Sequence, residues 1–587
     1  MRSRLYSTYF FVIILFLFSA IGGAIYILRL EYDSLIAAVV AALHKNGLEE
    51  KLRNQVFTRN RFILLQRISW LVFILAPFCF WLAVRYKVLI TGYCKFVVSS
   101  VWQSLKFIRR GFQNNTPLQN RWVYTLMAII AIFFIFRIIT SFLNYDEMWS
   151  YNYYTASPFY YSFFTYSSYP LFELTTHFFK WLPFSMKINL RLSSFLFGMA
   201  SCFVLYACLR KYFRSHFIAM AGLAAFAFVP FTIVYSSVAR GPVHELFFAI
   251  AGLFSFLFWL ENTQRKKYLV MYVLAAVLGV YSLSTHILFL LFLLGIGMAT
   301  LIKTNRPAVV LFFKTNLLII AGIFILYAPL FLTTGFSVFE SLVKSKTSYY
   351  NTIIMLPLVI KNILAAYISG YIAVNMIALA AAILILLYVK NKLPANQQLI
   401  FKIIVWMPVA VIFFYLITSL PYPGRSVAFC LLDIPLVTCF FAQAAMPWFN
   451  KNSIRKKGIA ISAIGLALFT NGYFYLPAFT IDKNVAIVSS LLIEKKITSC
   501  YDNSSYSTHF FYYYPGIEYY YRQENKNIEL TLSAKNSMRY KPLLESDVYD
   551  CIVYDFGAAD STRVHTFHEL YRDPTGKFKI YIRNTIK

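Results

Sequence analysis

Runs of about 20 apolar residues, separated by short polar segments, recur along most of this 587-residue chain. Each run is long enough to cross a hydrocarbon core of about 30 Å as a helix. The windows fall at 8–30, 66–91, 122–143, 189–209, 216–236, 241–260, 268–284, 286–302, 315–334, 370–389, 402–420, 425–446 and 458–477. They predict a polytopic α-helical membrane protein with about 13 transmembrane helices. The first window follows Arg2 and Arg4, exceeds a signal-peptide apolar core and has no small-residue cleavage site after it, so it reads as a retained span. From about Ile481 the pattern changes. Short β-type runs such as Cys551-Ile552-Val553-Tyr554 and Phe578-Lys579-Ile580-Tyr581-Ile582, with the turn signal Asp573-Pro574-Thr575-Gly576, predict a small C-terminal α/β soluble domain.

The polar segments set an orientation. With the N-terminus in the cytoplasm, segments 92–121, 210–215, 261–267, 303–314, 390–401 and 447–457 fall inside, and each is basic with hardly any acid. Segments 144–188, 335–369 and the tail after 478 fall outside. Loop 31–65 runs against the trend, mixing Lys45, Lys51 and Arg53 with Glu31, Asp33, Glu49 and Glu50. Segment 144–188 is rich in Tyr, Phe and Trp, which suits interfacial helices in an outer loop. The expected organisation is residues 1–120 as two N-terminal spans with their loops, 121–480 as the main transmembrane domain and 481–587 as an extracytoplasmic soluble domain. The outer loops 144–188 and 335–369 belong to the main domain.

Composition narrows the class. Hydrophobic residues make up 59% and charged residues 13%, about half the charge share of a soluble domain, which excludes a soluble globular protein. The net charge of +31 sits in short loops such as Arg210-Lys211-Tyr212-Phe213-Arg214 and Arg265-Lys266-Lys267, so it reports topology and gives no reason to expect nucleic acid. Of the eight cysteines, six lie in or beside apolar runs; Cys500 and Cys551 stand in the polar tail and are candidates for a disulfide in an oxidising compartment. No cysteine spacing suggests a metal, and no cofactor is expected.

The segment Asn144-Tyr145-Asp146-Glu147-Met148-Trp149-Ser150-Tyr151 follows directly on the span 122–143. Paired carboxylates at a membrane boundary either end a helix among the headgroups or mark a functional site. Arg137 lies about two helical turns before Asp146 and can snorkel outward, balance the carboxylates or meet an anionic ligand. Glu173 and His177 have helical i,i+4 spacing, but the sequence offers no third metal ligand. Asp433 falls inside a span two turns after Arg425, where an ion pair is the plainer reading.

An ordered series of short motifs carries a resemblance. After Asp146-Glu147-x-Trp-Ser-Tyr come Tyr169-Pro170-Leu171-Phe172 ahead of His177, then Arg191-Leu192-Ser193-Ser194 with Phe197-Gly198. Ser237-Val238-Ala239-Arg240, Leu278 to His286 and Pro423-Gly424-Arg425 follow. The series resembles the type C membrane glycosyltransferases, in particular the protein O-mannosyltransferase and lipid A aminoarabinose transferase group (glycosyltransferase family 39-like), over about residues 120–480. The resemblance implies an inverting transferase that moves a sugar from a polyprenyl-phosphate donor to a hydroxyl acceptor on a protein, lipid A or a surface glycan. It implies an enzyme of the cell inner membrane working at the periplasmic face. Asp146 matches the family's general base, and Glu147 either orients the acceptor or holds the loop. Arg425 matches the late Arg expected at the phosphate, its other reading being an interface anchor; Arg240 is a second candidate. His286 matches a family position and reads either as substrate-binding or as a hydrogen-bonded structural residue. Two positions depart from the pattern: Ser168-Tyr169-Pro170 stands where His-Pro-Pro is common, and Arg425-Ser426 where Arg-Tyr is frequent. The sugar and acceptor therefore do not carry over.

Two other functions fit a many-spanned chain of this kind. A polysaccharide polymerase or ligase would place its key Arg and His in a large late outer loop. A lipid flippase or transporter would show inverted repeats and charges near the midplane.

Overall fold

The computed structural model describes residues 21–43, 58–157, 169–334, 349–367, 393–418 and 424–445, then 480–497, 499–502, 514–524, 529–532, 550–555, 567–572 and 578–584, with a few isolated positions besides. The protein is a polytopic helical membrane protein. Eight helices among the described residues are long and apolar enough to span a bilayer, and nine spans result if one bent pair counts as one. The expected spans 370–389 and 458–477, and the first half of 8–30, fall largely outside the described residues.

Two units divide the chain. The first comprises residues 1–35, 52–139 and 162–476. Its helices are α1 (Arg59–Arg85), α2 (Lys87–Gln113), α3 (Pro117–Thr140), α4 (Pro170–Phe179), α5 (Met186–Phe213), α6 (His216–Ala227) and α7 (Pro230–Ser237). They continue with α8 (Pro242–Glu261), α9 (Lys267–Ser282), α10 (His286–Thr304), α11 (Arg306–Thr334), α12 (Tyr349–Tyr367), α13 (Ala395–Thr418) and α14 (Asp433–Ala445), the last preceded by a 3₁₀ stretch, Gly424–Leu432. The core gathers around α5, which packs on both α6 and α8, while α6 also packs on α14. Helix α6 is buried along its whole length, its Ala and Gly residues admitting close neighbours, and Leu246, Ile250 and Leu253 of α8 are fully enclosed. Removing such a Leu or Ile typically costs about 2–5 kcal/mol.

Three readings of the sequence change here. The window 216–236 is not one straight span: α6 and α7 meet at 65°. Val229 is extended (φ −71, ψ 147) ahead of Pro230, because a proline disfavours helical geometry in the residue before it. The window 268–284 folds as α9, a helix of 16 residues and about 24 Å, short of a full hydrocarbon core. Segment 92–121, expected as a loop, is mostly helix α2, with only Tyr86 between it and α1. Segment 144–188, expected as an outer loop, holds helices, among them Tyr145–Ser150 and α4.

The second unit comprises residues 36–51, 140–161 and 477–587. Five strands, β1 (Ser499–Asp502), β2 (Glu529–Leu532), β3 (Cys551–Asp555), β4 (Phe567–Arg572) and β5 (Phe578–Arg583), form one sheet in the order β2-β1-β3-β5-β4. Strand β1 runs parallel to β2 and β3, while β5 runs antiparallel to β3 and β4. Helices Thr480–Glu494 and Tyr514–Gln523 pack on each other and contribute Val485, Val488, Leu492, Ile517 and Tyr521 to the buried interior. Cys551 is disulfide-bonded, the register sets Cys500 across from it, and the six cysteines of the first unit are free thiols.

Candidate active site

The acidic motif opens a helix of six residues, Tyr145–Ser150, and a reciprocal cap explains why so short a helix forms. The Glu147 N–H donates to Asn144 Oδ1 at 2.9 Å, and the Asn144 N–H donates to Glu147 Oε2 at 2.8 Å. Two backbone donors that a helix start leaves unpaired are thus satisfied, at a gain of about 1 kcal/mol. The two carboxylates differ in consequence. Glu147 is fully buried with an oxygen committed to the cap, whereas Asp146 keeps part of its surface open. Both stand in the first turn, where the helix dipole favours negative charge.

The helix runs into a wider π turn, Tyr151–Thr155, and Trp149 stacks on Tyr153 at 4.1 Å between ring centroids. Residues of the tail hold this segment from the other side. Arg522 Nη1 donates to the Asn152 carbonyl (3.0 Å), and Gln523 Nε2 donates to the Tyr151 hydroxyl (3.0 Å). The Tyr519 ring meets Tyr151 edge-on at 5.0 Å. Burial pushes the Tyr151 phenol above its ordinary pKa, with the Gln523 bond and the Arg522 charge opposing. Gly516 permits the close approach: a Cβ there would lie 3.1 Å from Met148 Sδ and 2.1 Å from Val485 Cγ1. Asp146 therefore belongs, by packing, to the unit built around the tail. No local pattern signals this, since Asn152 and Arg522 stand 370 residues apart.

The remaining candidates belong to the first unit. Arg240 lies in the turn between α7 and α8, 9% exposed, with its guanidinium 5.4 Å from the centre of the Tyr169 ring. The Ser194 hydroxyl donates to the Arg240 carbonyl at 3.1 Å and fixes the turn. Gly241 is required beside it, because a Cβ would come within 2.4 Å of Tyr169. Arg137 is half-buried in the last turn of α3. Arg191, fully buried on α5, donates from Nη1 to the Ile138 carbonyl at 2.9 Å and ties α5 to the same end of α3. Arg425 falls in the 3₁₀ stretch, but its side chain lies outside the described residues, and so does the Arg425–Asp433 pairing expected from spacing.

His286, at the start of α10, is enclosed: its Nδ1 is 2.8 Å from Glu245 Oε1, and both side chains are almost fully buried. Gly279 of α9 makes room for the imidazole ring, since a Cβ would fall 2.4 Å from Nε2. The arrangement is a hydrogen-bonded tie between α8 and α10, packed against α9 at Gly279. Sequence reading missed Glu245, although a Glu inside an apolar run is itself a signal that a buried partner exists. It also missed a polar chain beside it, in which Thr175 Oγ1 meets Ser193 Oγ at 2.7 Å and Ser193 Oγ meets His244 Nε2 at 2.8 Å. His177 Nε2 lies 3.3 Å from Ser162 Oγ. Among the described residues no group of three or more His, Cys, Asp or Glu side chains is arranged to hold a metal ion.

The chain shares the fold of ArnT from Cupriavidus metallidurans bound to undecaprenyl phosphate, with a TM-score of 0.52 and 12% identity, over 79% of this chain and 98% of that one. The same protein in the apo state gives a TM-score of 0.51 at the same identity and coverage. No protein-family model matches the chain, and no curated protein matches it in sequence.

Proposed function

We propose that this chain is an inverting glycosyltransferase that moves a sugar from a polyprenyl-phosphate donor to a hydroxyl acceptor, with Asp146 as general base. The observation that carries the reading is the fold shared with ArnT over 98% of that protein, one of whose structures was solved with undecaprenyl phosphate bound. The contrast between the two carboxylates supports the assignment within the motif, since the cap occupies Glu147 and Asp146 retains open surface.

The chemistry asks for few parts. As the acceptor oxygen attacks the anomeric carbon, Asp146 takes its proton, a contribution of about 10²–10⁴-fold. The bond from that carbon to the phosphate oxygen breaks on the opposite side of the sugar, which inverts the centre and releases polyprenyl phosphate. A fixed guanidinium stabilises the charge gathering on the leaving phosphate. Arg240, Arg425 and Arg137 are the candidates for it, with Arg240 preferred for its rigid seat on Tyr169. His286 and Glu147 act through structure. The acceptor is a protein, lipid A or a surface glycan, and the site faces the periplasm of a bacterial inner membrane.

Purified Asp146→Asn protein tests the reading. It should bind donor normally and transfer sugar about 10²–10⁴ times more slowly. A near-normal rate would remove the general base and return the transporter reading. Mass spectrometry of envelope glycans and lipid A, with and without the protein, would identify the acceptor: loss of one sugar per acceptor fits a transferase, and loss of whole chains a polymerase.

A further inference from the structure

Helix α2 belongs to the N-terminal region that the motif resemblance leaves unexplained. Its 27 residues make a rod of about 40 Å. Helices α1 and α3 on either side of it both qualify as membrane spans, and α2 does not. A helix that joins two spans without crossing must lie along one face of the membrane. Its C-terminal half fixes which face. Gly111 sits against Ala207 near the end of α5, Phe107 meets Phe258 of α8 at 5.1 Å, and Gln103 accepts a hydrogen bond from Lys267 of α9 at 3.0 Å. Those helix ends carry Arg210, Lys211, Arg265 and Lys266, so α2 lies on the face that bears the basic loops.

The side of α2 turned away from these contacts has a definite make-up. At 100° per residue, Lys95, Lys106, Arg109 and Arg110 fall within one stripe, and all four are exposed. Val98 and Leu105, each 51% exposed, flank the stripe on one side, and Phe96 flanks it on the other. Trp102 stands within the stripe, 58% exposed, with Lys106 Nζ 5.8 Å from its ring centre. A basic stripe with apolar shoulders suits a boundary where hydrocarbon meets headgroups; the shoulders enter the acyl region and the cations stay at the phosphates.

We propose that the exposed face of α2 is a binding surface for anionic phospholipid headgroups in the leaflet next to the basic loops. Four cations at intervals over about 22 Å match a row of lipid phosphates better than a single small anion. The site is independent of the transferase assignment.

The test is native mass spectrometry of the full chain extracted from vesicles of phosphatidylcholine alone or mixed with phosphatidylglycerol. In one variant Lys95, Lys106, Arg109 and Arg110 are all changed to Gln. In a control, four exposed basic residues elsewhere, Arg214, Lys303, Arg306 and Lys402, are changed to Gln. The α2 variant should lose phosphatidylglycerol retention by about fivefold per residue removed, with phosphatidylcholine unaffected and the control near wild type. Equal loss in both variants would reduce the effect to overall charge and overturn the proposal, as would unchanged retention in the α2 variant. A protein mass carried by the wild type and shed by the α2 variant, with lipid retention equal, would overturn it in favour of a protein partner.

Discussion

Replacing Glu147 with Ala removes the acceptor that the Asn144 N–H uses at 2.8 Å, while leaving Asp146 in place. Loss of one such cap costs about 0.5–2 kcal/mol. In a helix of only six residues that cost falls on the whole element, because no further turn exists to hold it. The ordered segment should therefore open about 2 to 30 times more often. Glu147→Gln keeps an oxygen in the same place, and Gln serves in a capping box as Glu does, so it should stay close to the parent protein. The two substitutions thus separate a structural carboxylate from a chemical one. Turnover measured with a polyprenyl-phosphate-linked sugar, alongside hydrogen exchange over residues 144–157, reads both effects. The expected order is near-normal transfer for Glu147→Gln, a loss of up to about 30-fold with faster exchange for Glu147→Ala, and about 10²–10⁴-fold with unchanged exchange for Asp146→Asn. Should Glu147→Gln fall as far as Asp146→Asn, the roles are reversed and Glu147 is the base. Unchanged exchange in Glu147→Ala would refute the capping argument itself.

Arg522→Ala removes a charged donor from the Asn152 carbonyl, a bond worth about 1.5–3 kcal/mol, and should speed exchange over 145–157 and lower kcat with donor KM unchanged; Arg522→Lys should recover part of both, and normal exchange in the Ala variant would end the idea that the tail holds the loop. Arg240→Ala should weaken polyprenyl-phosphate binding in an equilibrium assay, with Lys restoring it only in part, whereas full binding in Arg240→Ala and loss in Arg425→Ala would move the phosphate contact to Arg425. Hydrogen bonds from Arg572 hold the Glu569 carboxyl below its ordinary value of 4.5, so its contribution to the second unit is present above that pH and lost as pH falls through the lowered pKa. Glu569→Gln should flatten the acid limb of the unfolding profile below about pH 4.5, and an unaltered limb would show that the pair adds nothing measurable.

Much of the first unit was legible because membrane spans announce themselves by length and apolarity alone. Windows such as 241–260 and 286–302 coincide with α8 and α10 to within a residue or two. Where the signal depends on geometry, the sequence said less. Helix α2 hid because its basic stripe lowers the mean apolarity below that of a span, so a rod of helix read as a loop. The bend before Pro230 left a continuous apolar run behind it, and only the proline marked the break. In the candidate site, the motif Asp146-Glu147 was visible, and so was the Asn at position 144; their reciprocal cap follows the spacing rule for a capping box. The partners of His286 and Asn152 were not visible, because Glu245 and Arg522 reach them across 41 and 370 residues. Such pairings are products of tertiary packing and leave no local pattern.

The attachment of segment 140–161 to the tail has a bearing on how the protein is made. At about 5–20 residues per second, the ribosome reaches Arg522 some 20–70 s after Asn152, with the intervening spans inserted in that interval. Throughout it the Asp146 segment lacks the helix that braces it. The nascent chain can thus seat its membrane helices while the Asp146 segment is still loosely held, and the braced segment forms late in synthesis as one docking step. A chain stalled or clipped ahead of Tyr514 would carry its membrane helices but leave the Asp146 segment without the helix that braces it, so the order in which the parts emerge sets when that segment becomes ordered.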